Sequence, residues 1–576
     1  MRLKITKSKN NEFLAIIKSF RVGSKSTSKI IQNLGSMKQL LPLHHHSRDE
    51  VIAWANDLAL QLTREEKANQ EEILVKFSQS KRIPLNQVNS FNGGYLFLQK
   101  ILSSLGFSEI TRHIKEDSKI EYPLEEILSK LIYARILYPS SKLSSFKQCD
   151  HFLEKKDFDL HEVYRSLDLI AEKQDFIQSE LYHHSLKMIQ RNTNVLYYDC
   201  TNFFFEIQEA DGLKQYGKSK ENRPNPIVQM GLFMDGNGYP LSFSLHPGNQ
   251  NEQISLKPLE EQMIKDFKLS SFVVCTDAGL GSIDNRKFNN FKQRSYIVTQ
   301  SLKQLKSHLQ DWVLEKDHWS LPHHKKLYSL DEILSEAGKS LFQDKIFYKE
   351  RWIHENGLEQ RLIVSFSLKY YDYQRGLRQS QIERAMKMVD KQSAAQPSNP
   401  NSAKRFIQEN HVTVHGEVAE SITLSLNEEK ISKEARFDGF YGVCTTLEDP
   451  IETILKINKN RWEIEESFRI MKSEFKSRPV YLRKDNRIES HFMICFIALL
   501  VFRILEKKLD ETYPAPVILQ SLRDMNFKEV VGEGYIPTYT RTNLTDKLHD
   551  VFGFRTDNEI TSSKNMKKNI KLTKKP

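Results

Sequence analysis

Little in this sequence points to a secreted or membrane protein. Its 576 residues contain five cysteines, which are scattered and form no Cys-x-x-Cys pair, so we expect reduced, buried thiols rather than disulfides or a zinc site. The N-terminus lacks the apolar core of a signal peptide. The longest apolar run, MICFIALLVF at 493–502, is about half the roughly 20 residues that cross a bilayer. We therefore expect a soluble, cytoplasmic protein without a membrane partner, in which this run is a buried core helix.

The chain is too long for one hydrophobic core, and it is moderately basic. Its length predicts two to four domains. The 85 lysines and arginines exceed the 74 aspartates and glutamates by 11, and the isoelectric point is near 9.0. This balance suits a polyanionic partner such as nucleic acid, although a solvated, lysine-rich surface explains the charge equally well.

The apolar pattern divides the chain into six segments. In order they are a small β-rich unit with a Gly-Ser turn, a mainly helical region that is a candidate for DNA binding, the first part of a catalytic core, a β-rich insertion, the second part of the core, and a C-terminal segment whose basic tail we expect to be disordered. Their bounds are 1–47, 48–190, 191–305, 306–436, 437–515 and 516–576. The insertion contains a Pro/Ser/Asn-rich stretch, SAAQPSNPNSA, that is typical of a loop.

The order of elements in the core predicts its fold. Apolar strand patterns begin at NVLYYDCTNFFFEI, and the Asp-Gly and Asn-Gly pairs in MDGNGYP predict a hairpin between the next two strands. The full order is strand, strand, strand, helix, strand, helix, strand. This is the order of the ribonuclease H-like α/β fold, whose mixed sheet carries an acidic residue on its first strand and another at the end of its fourth.

Asp199 and Asp277 occupy those two positions. Asp199 lies between two apolar strand segments, where a carboxylate is costly to bury unless it binds a cation. Asp277 ends the strand SFVVCTD and precedes Ala-Gly-Leu-Gly, so capping the following turn is its alternative role. Two carboxylates at neighbouring strands are suited to Mg²⁺, which prefers hard oxygen ligands.

A third acidic residue lies in a helical pattern, NRWEIEESFRIMKSEFK. Arg461, Glu465, Phe468 and Lys472 share one face at 3.6 residues per turn, which places a carboxylate between two cations. We interpret Glu465 as a metal ligand and the two cations as phosphate ligands. An ordinary salt-bridged surface helix gives the same spacing. Trp462 either stacks on a displaced base or packs the helix against the sheet.

Taken together, these motifs resemble the DDE transposases of bacterial insertion sequences, in the branch whose catalytic domain carries a β-rich insertion. The resemblance rests on YYDCTNFFFE, on KSKENRPNPIVQMGLFMDGNGYPLSFSLHPGNQNE, on CTDAGLGS and on RWEIEESFRIMKSEFKSRPVY, which span most of 195–505. The glutamate helix of that family carries Tyr, Arg, Glu and Lys at fixed spacing. Asn458 stands here at the tyrosine position and is a candidate DNA-binding residue, although the phosphate contact that the tyrosine makes is in doubt.

The resemblance implies a metal-dependent chemistry and its partners. Asp199 would bridge two Mg²⁺ ions, for which Mn²⁺ substitutes, while Asp277 would hold one ion and Glu465 the other. The enzyme would nick double-stranded DNA at the terminal inverted repeats of the element and join the freed 3′-OH to target DNA. It would act as a homodimer on paired ends, in the nucleoid of a bacterium. The resemblance further implies that Trp352, Tyr370 and Tyr371 of the insertion line the DNA.

Two other functions stay open from the sequence. One is a domesticated DNA-binding protein that keeps the fold without catalysis, although an intact set of three acidic residues speaks against it. The other is a metal-dependent nuclease of the same fold, which strand transfer by the 3′-OH would distinguish from a transposase. Lys218, Lys220 and Arg223, between the first two core strands, are candidate phosphate contacts or simply part of a solvated turn.

Overall fold

Two units are built from this chain, and neither is continuous in sequence. The computed structural model describes residues 1–8, 11–22, 25–44, 47–71, 78–80, 82–390, 402–412 and 421–576. The first unit contains Met1–Ser90, Phe527–Thr538 and Thr556–Lys568, and the second contains Phe91–Asn526, Tyr539–Arg555 and Asn569–Pro576. The predicted turn at Gly23-Ser24 and most of the predicted loop SAAQPSNPNSA lie outside the described residues.

The first unit begins with a three-stranded antiparallel sheet in the order β1-β2-β3, followed by helices. The bounds are β1 (Arg2–Ser8), β2 (Asn11–Val22), β3 (Lys25–Ser36), α1 (Met37–Leu40) and α2 (Arg48–Glu71). Side chains alternate across a strand, so Leu3, Ile5 and Leu14 share one face of the sheet. That face packs with Val51 and Ala55 of α2 in a small core of its own.

The second unit opens with a helical region, which confirms the predicted helical character of this part of the chain. After the short strand β4 (Ser90–Asn92), the helices are α3 (Tyr95–Ser104), α4 (Phe107–Ser118), α5 (Leu124–Leu137), α6 (Lys142–Gln148), α7 (Leu160–Glu172) and α8 (Gln174–Met188). Local sequence sets some of these ends. At α7, Asp159 and Glu162 form a capping box that satisfies backbone N–H groups of the first turn.

A mixed sheet follows, in the predicted order of strands and helices. Its elements are β5 (Val195–Phe204), β6 (Ile227–Asp235), β7 (Pro240–Pro247), α9 (Leu256–Asp266), β8 (Phe272–Thr276), α10 (Ile283–Asn289) and β9 (Arg294–Gln300). In space the strands run β7-β6-β5-β8-β9, antiparallel from β7 to β5 and parallel from β5 to β9. Gly238 has φ of +81° in the β6–β7 turn, where a glycine is favoured. The α/β ribonuclease H-like fold is confirmed.

Most strands of the insertion continue this sheet, whereas Ile407–Val412 and Ser421–Leu426 pair with each other in a separate two-stranded sheet. Its elements and the next core strand are α11 (Ser307–Leu314), β10 (Trp319–Ser320), β11 (Leu327–Tyr328), α12 (Leu330–Leu334), α13 (Glu336–Phe342), β12 (Phe347–Glu355), β13 (Leu358–Phe366), α14 (Leu368–Asp390), β14 (Ile407–Val412), β15 (Ser421–Leu426), α15 (Glu428–Ala435) and β16 (Phe440–Thr445). The sheet extends beyond β9 as β16-β13-β12-β10-β11, giving ten strands. Because β13 pairs with the core strand β16, the predicted insertion at 306–436 shares the sheet of the core.

Helices dominate the remainder of the chain. The bounds are α16 (Ile451–Lys459), α17 (Trp462–Arg469), α18 (Asp485–Lys508), α19 (Ala515–Asp524), β17 (Asn526–Val530), β18 (Gly534–Pro537), α20 (Asn543–Phe552), β19 (Thr561–Ser562) and α21 (Ser563–Thr573). The helical pattern NRWEIEESFRIMKSEFK does not form one regular helix, because the helix breaks at Asn460 between α16 and α17, and a π-helical turn at Ile470–Glu474 follows α17. Asparagine is a poor residue for a helix interior, which fits the break.

The core helix α18 packs against the ribonuclease H-like sheet. Phe492 and Phe496 of this helix lie 4.8 Å and 5.1 Å, ring centre to ring centre, from Phe203 and Phe243. By length and composition α18 could cross a membrane, but 94% of its apolar window is buried inside the structure. The apolar run at 493–502 is therefore a core helix, as predicted.

The predicted disorder of the basic tail is wrong. Residues Ser563–Thr573 form α21, in which Met566 and Thr573 are buried. These two positions and Ile570 recur at helical spacing, so the tail has an apolar stripe despite its many lysines. The Thr573 hydroxyl donates to Gln99 Oε1 (2.6 Å), which fixes the end of the helix.

The contact between Phe492 and Phe203 tests the importance of α18 for stability. Phe492→Ala should lower the free energy of unfolding by about 3–5 kcal/mol, because it removes a fully buried ring and leaves a cavity. Phe291→Ala, at a ring that is 57% exposed, is the matched control and should cost less than about 1 kcal/mol. Chemical denaturation followed by circular dichroism measures both. Equal losses would show that α18 is not the core element described.

Candidate active site

Parallel pairing of β5 and β8 brings the two predicted aspartates to the same level of the sheet. Val195 pairs with Val273 and Tyr197 pairs with Cys275, a constant offset of 78 residues. Asp199 and Asp277 each lie two residues further along, so the same offset separates them. Because side chains alternate with a period of two, both carboxylates lie on the same face of the sheet.

Asp199 is the partly exposed residue of a strand whose other side chains are buried. All ten residues of β5 are described, and Asp199 is the one that is not fully buried. The Cys200 backbone N–H donates to its Oδ1 (2.7 Å). Burial raises the pKa of Asp199 to about 6, and the neighbouring charge of Asp277 adds to the rise, whereas the charge of Lys220 opposes it. The site therefore holds a carboxylate that is costly to ionise without a cation.

Asp277 performs the turn-capping role that was its alternative interpretation and still faces the site. Its Oδ1 accepts a hydrogen bond from the Leu280 backbone N–H (3.0 Å), which fixes the turn after β8. Its effect on the pKa of Asp199 shows that the two carboxyl groups interact. Among the residues that the structure describes, the Oδ2 atoms of both aspartates have no hydrogen-bond or ion-pair partner. Capping and ligand binding are thus compatible at Asp277.

The helix α17 offers three glutamates, and two of them are engaged in other ion pairs. Glu463 pairs with Arg503 of α18, and Glu466 pairs with Arg469 (2.6 Å). Glu465 pairs with Arg461 (3.3 Å), and its side chain is 58% exposed. Glu465 is therefore the glutamate of α17 that can most easily turn toward a ligand, although its present ion pair is also the one expected of an ordinary surface helix.

Arg461 interacts electrostatically with both Glu465 and Asp199. Its guanidinium contacts Glu465, and its positive charge lowers the pKa of Asp199, so it lies near both carboxylates. Its Nε is buried without a hydrogen-bond partner among the described residues. The predicted grouping of Arg461 with the acidic residues thus exists in the structure.

Two lysines also lie near Asp199. Lys472, in the π-helical turn, donates from Nζ to Thr201 Oγ1 (2.5 Å). Burial and the charge of Lys220 lower the pKa of Lys472 to about 8. Lys220 donates to the Cys200 carbonyl and lies 3.4 Å from Glu252. Burial lowers the pKa of Lys220, but the charges of Asp199 and Glu252 raise it more, and the net shift is upward.

Asn458 does not face a ligand surface, which corrects its predicted role in DNA binding. It is 8% exposed, its Nδ2 donates to Tyr441 Oη (3.0 Å), and Cys275 Sγ lies 3.8 Å from its Oδ1. The Tyr441 hydroxyl also hydrogen-bonds to Thr299 (2.8 Å). A short, buried amide that is already engaged cannot reach a phosphate, so Asn458 instead holds the Tyr441 hydroxyl in place.

Trp462 is on the surface. Trp462 is 50% exposed at the start of α17, so half of its surface is accessible to a ligand. Stacking on a displaced base, one of its two interpretations, requires an accessible ring of this kind. The insertion residue Trp352, on β12, is 46% exposed as well.

The donor set fits a hard divalent cation only in part. Asp199 and Asp277 supply aligned carboxylate oxygens, and Mg²⁺ commonly takes one or two carboxylates together with water. Within the described ranges, no three His, Cys, Asp or Glu side chains are already clustered as metal ligands. The structure thus brings two of the three predicted ligands together, whereas Glu465 is paired with Arg461.

Sequence reasoning did not assign Thr201, Tyr441 and Glu252 to this site. Thr201 is 271 residues from its partner Lys472, and Tyr441 lies 142 residues from Thr299. No local pattern connects positions so far apart. The one available signal was that Thr201 lies two residues after Asp199 on a strand, and therefore on the same face.

Comparison with known proteins finds a matching family. Residues 202–501, just over half of the chain, match the family model described as Transposase DDE domain. The matched range includes Asp277 and Glu465 and begins three residues after Asp199. No curated protein matches the chain.

Transposase complexes are among the solved structures that match the chain. A piggyBac transposase synaptic complex with hairpin DNA is 9% identical, with 84% of this chain and 90% of that chain covered and a TM-score of 0.36. A Mos1 transposase paired-end complex with the left transposon end is 11% identical, with 42% and 66% covered and a TM-score of 0.14. These scores are too low to support an argument from structural likeness, and the family match carries the comparison.

The raised pKa of Asp199 predicts a stability effect of removing its charge. A carboxyl group whose folded-state pKa exceeds its unfolded value costs stability as pH rises, and the full cost is present above about pH 6. Asp199→Asn should therefore raise the melting temperature of the metal-free protein at pH 7.5, by about 1–3 °C. At pH 5 the gain should be roughly half as large.

Differential scanning calorimetry in the presence of a chelator measures this gain. Glu465→Gln, at a mostly exposed carboxylate on α17, is the control and should change the melting temperature little at either pH. An Asp199→Asn protein that melts below the wild type at pH 7.5, or a gain that does not depend on pH, would contradict the described environment of Asp199.

Proposed function

The chain belongs to the transposase DDE domain family and is a DNA transposase, and we propose that it cuts the ends of an insertion element and joins the freed 3′-OH to target DNA. The observation that carries this proposal is the alignment of Asp199, on β5, with Asp277, which directly follows the paired strand β8. The family match supports the class of reaction, and the neighbouring positions of Asp199 and Asp277 support these two residues as the ones on which the chemistry would depend.

The acidic residues would act as cation ligands. Asp199 and Asp277 would hold divalent cations through the oxygens that lack partners in the described structure, and Glu465 would join them after leaving Arg461. Two Mg²⁺ ions, when bound, would activate the attacking oxygen and stabilise charge on the leaving oxygen, and Mn²⁺ would substitute for them. A cation would also remove the cost of ionising Asp199 in its buried position.

The basic residues around Asp199 would hold the DNA backbone. The charges of Lys220 and Lys472 interact with Asp199, and so does that of Arg461, which precedes α17. When Glu465 turns away, the Arg461 guanidinium becomes available for a phosphate, which it can bind in a bidentate manner. Trp462 would stack on an unpaired base beside this backbone contact.

The biological setting is part of the same proposal. The DNA partners would be the terminal inverted repeats of the element and the target duplex. A homodimer would pair the two ends so that both are cut in concert, and the exposed Trp352, with Tyr370 and Tyr371, would line the DNA near the insertion. The element would be a bacterial insertion sequence, and the enzyme would work at the nucleoid in the cytoplasm.

Loss of each acidic residue should abolish catalysis without abolishing DNA binding. On a plasmid that carries the gene with its flanking DNA, Asp199→Asn, Asp277→Asn and Glu465→Gln should each reduce cleavage and joining by at least about 10³-fold, because the cation ligands are lost. Gel electrophoresis of cleavage and joining products, with Mg²⁺ or with chelator, measures both steps.

Glu466→Gln is the matched control, since it removes the neighbouring carboxylate of α17 that is paired with Arg469. Its activity should stay within a few-fold of the wild type. Full activity of any of the three test variants would remove that residue from the mechanism. Cleavage without joining in the wild type would identify a nuclease of this fold instead of a transposase.

Lys472 predicts a pH dependence of DNA binding. With its pKa near 8, the lysine is charged below pH 8 and neutral above it, so DNA affinity should fall several-fold between pH 7 and pH 9. Lys472→Arg should largely remove this dependence, because arginine stays charged. Fluorescence anisotropy with a labelled duplex measures the affinity. The control Lys459→Arg, at an exposed position of α16, should retain the wild-type profile, and a flat wild-type profile would exclude Lys472 as a phosphate contact.

A further inference from the structure

The positive charge of this protein is concentrated in its first 44 residues. This segment contains nine lysines and arginines and one glutamate, a net charge of +8, while the whole chain carries +11. The remaining 532 residues therefore contribute only +3. The basic residues are Arg2, Lys4, Lys7, Lys9, Lys18, Arg21, Lys25, Lys29 and Lys38. Such an imbalance is the electrostatic signature of a segment that meets a polyanion.

Two of these basic residues, Arg2 and Lys4, lie on the same face of the sheet of the first unit. Leu3 and Ile5 of β1 pack toward α2, so the residues that alternate with them point to the opposite face. Those residues are Arg2, Lys4 and Thr6, and all three are exposed. The helix thus supports the sheet from one side and leaves the basic side accessible.

The other two strands extend this surface. Phe13 of β2 pairs with Thr6 across the ladder and is 48% exposed. On β3, Ile30 is 58% exposed and pairs with Ile17, which in turn pairs with Arg2, so Ile30 shares the face of Arg2. The exposed ring of Phe13 and the exposed apolar side chain of Ile30 are not part of the core that this sheet forms with α2. They suit a partner that offers both phosphates and an apolar surface.

We propose that this exposed face of the β1-β2-β3 sheet binds double-stranded DNA, with Arg2 and Lys4 on the phosphates. A β-ribbon fits the major groove, which is about 12 Å wide, and several DNA-binding proteins read DNA with strands in a groove. Phe13 and Ile30 would contact sugars or base edges, where thymine methyl groups offer apolar contacts. Binding of a second copy of the same face is disfavoured, because each copy carries +8 in this segment.

This inference locates DNA binding in the first unit, outside the candidate active site. It rests on the proposed function only for the choice of DNA as partner. It also differs from the sequence-based expectation, which placed a candidate DNA-binding region in the helices at 48–190. The sheet would provide affinity for the duplex, and the acidic site would provide the chemistry.

The test uses the full chain carrying Asp199→Asn, so that no cleavage occurs, and a labelled 30-base-pair duplex of mixed sequence. Adding Arg2→Gln and Lys4→Gln should weaken binding by at least about tenfold at low salt. Each lost phosphate contact removes about 0.9 from the slope of log K against log salt, so the slope should fall by about 2. Lys265→Gln with Lys268→Gln, two exposed lysines beside α9, is the charge-matched control and should leave the slope unchanged.

Unchanged affinity and slope in the Arg2/Lys4 variant would overturn the proposal. So would a change in oligomeric state on sedimentation without a change in DNA binding, because the face would then be a protein interface. A Phe13→Ala variant distinguishes groove contact from charge alone. It should weaken binding while preserving the salt slope, and melting curves identical to the parent protein show that the sheet remains folded. Loss of cleavage in the catalytic variants has no bearing on these results, so failure of the two proposals is distinguishable.

Discussion

The structure of the candidate active site depends on one interaction, the parallel pairing of β5 with β8. This pairing keeps a constant offset of 78 residues and thereby places Asp199 and Asp277 side by side on one face. A shift of one residue in the register would turn one carboxylate to the opposite face of the sheet. The strands are fixed on both sides, by β6 and by β9, and their apolar faces are covered by packed helices such as α18. The fold thus supplies a rigid base for a pair of like charges that would otherwise separate.

Positively charged side chains near Asp199 and Asp277 reduce the cost of placing these two carboxylates close together. Asp199 interacts unfavourably with Asp277 and with its buried surroundings, which raises its pKa to about 6, while Lys220 and Arg461 reduce the cost. Lys472 in turn is held near Lys220, which lowers its own pKa. Each of these groups would be better solvated or paired in the presence of cations and phosphates. Several ionisable groups with shifted pKa values close together are typical of a catalytic centre, where the protein is less stable but binds its substrate more tightly.

The catalytic fold and its acidic residues could be predicted from the sequence because the patterns that indicate them lie in short stretches of the chain. Two apolar strand patterns ending in aspartate, a hairpin with Asp-Gly and Asn-Gly pairs, and a face with Arg461, Glu465 and Lys472 can be identified without a structure. The rest depends on contacts between distant residues. The continuation of the sheet into the insertion requires the β13–β16 pairing, and the burial of Asn458 requires its contact with Tyr441. The helical tail was missed because its lysines suggested disorder, whereas its spaced apolar residues decide its structure.

The central claim is that Asp199 and Asp277 together hold a divalent cation. The most direct measurement is anomalous diffraction at the manganese edge from crystals of the protein grown with Mn²⁺ and a DNA end. The account predicts an anomalous peak between the two aspartates, about 2.0–2.2 Å from an oxygen of each, with Glu465 turned away from Arg461 toward the site. A structure that binds DNA in this region with Mn²⁺ elsewhere, and with neither aspartate as a ligand, would contradict it.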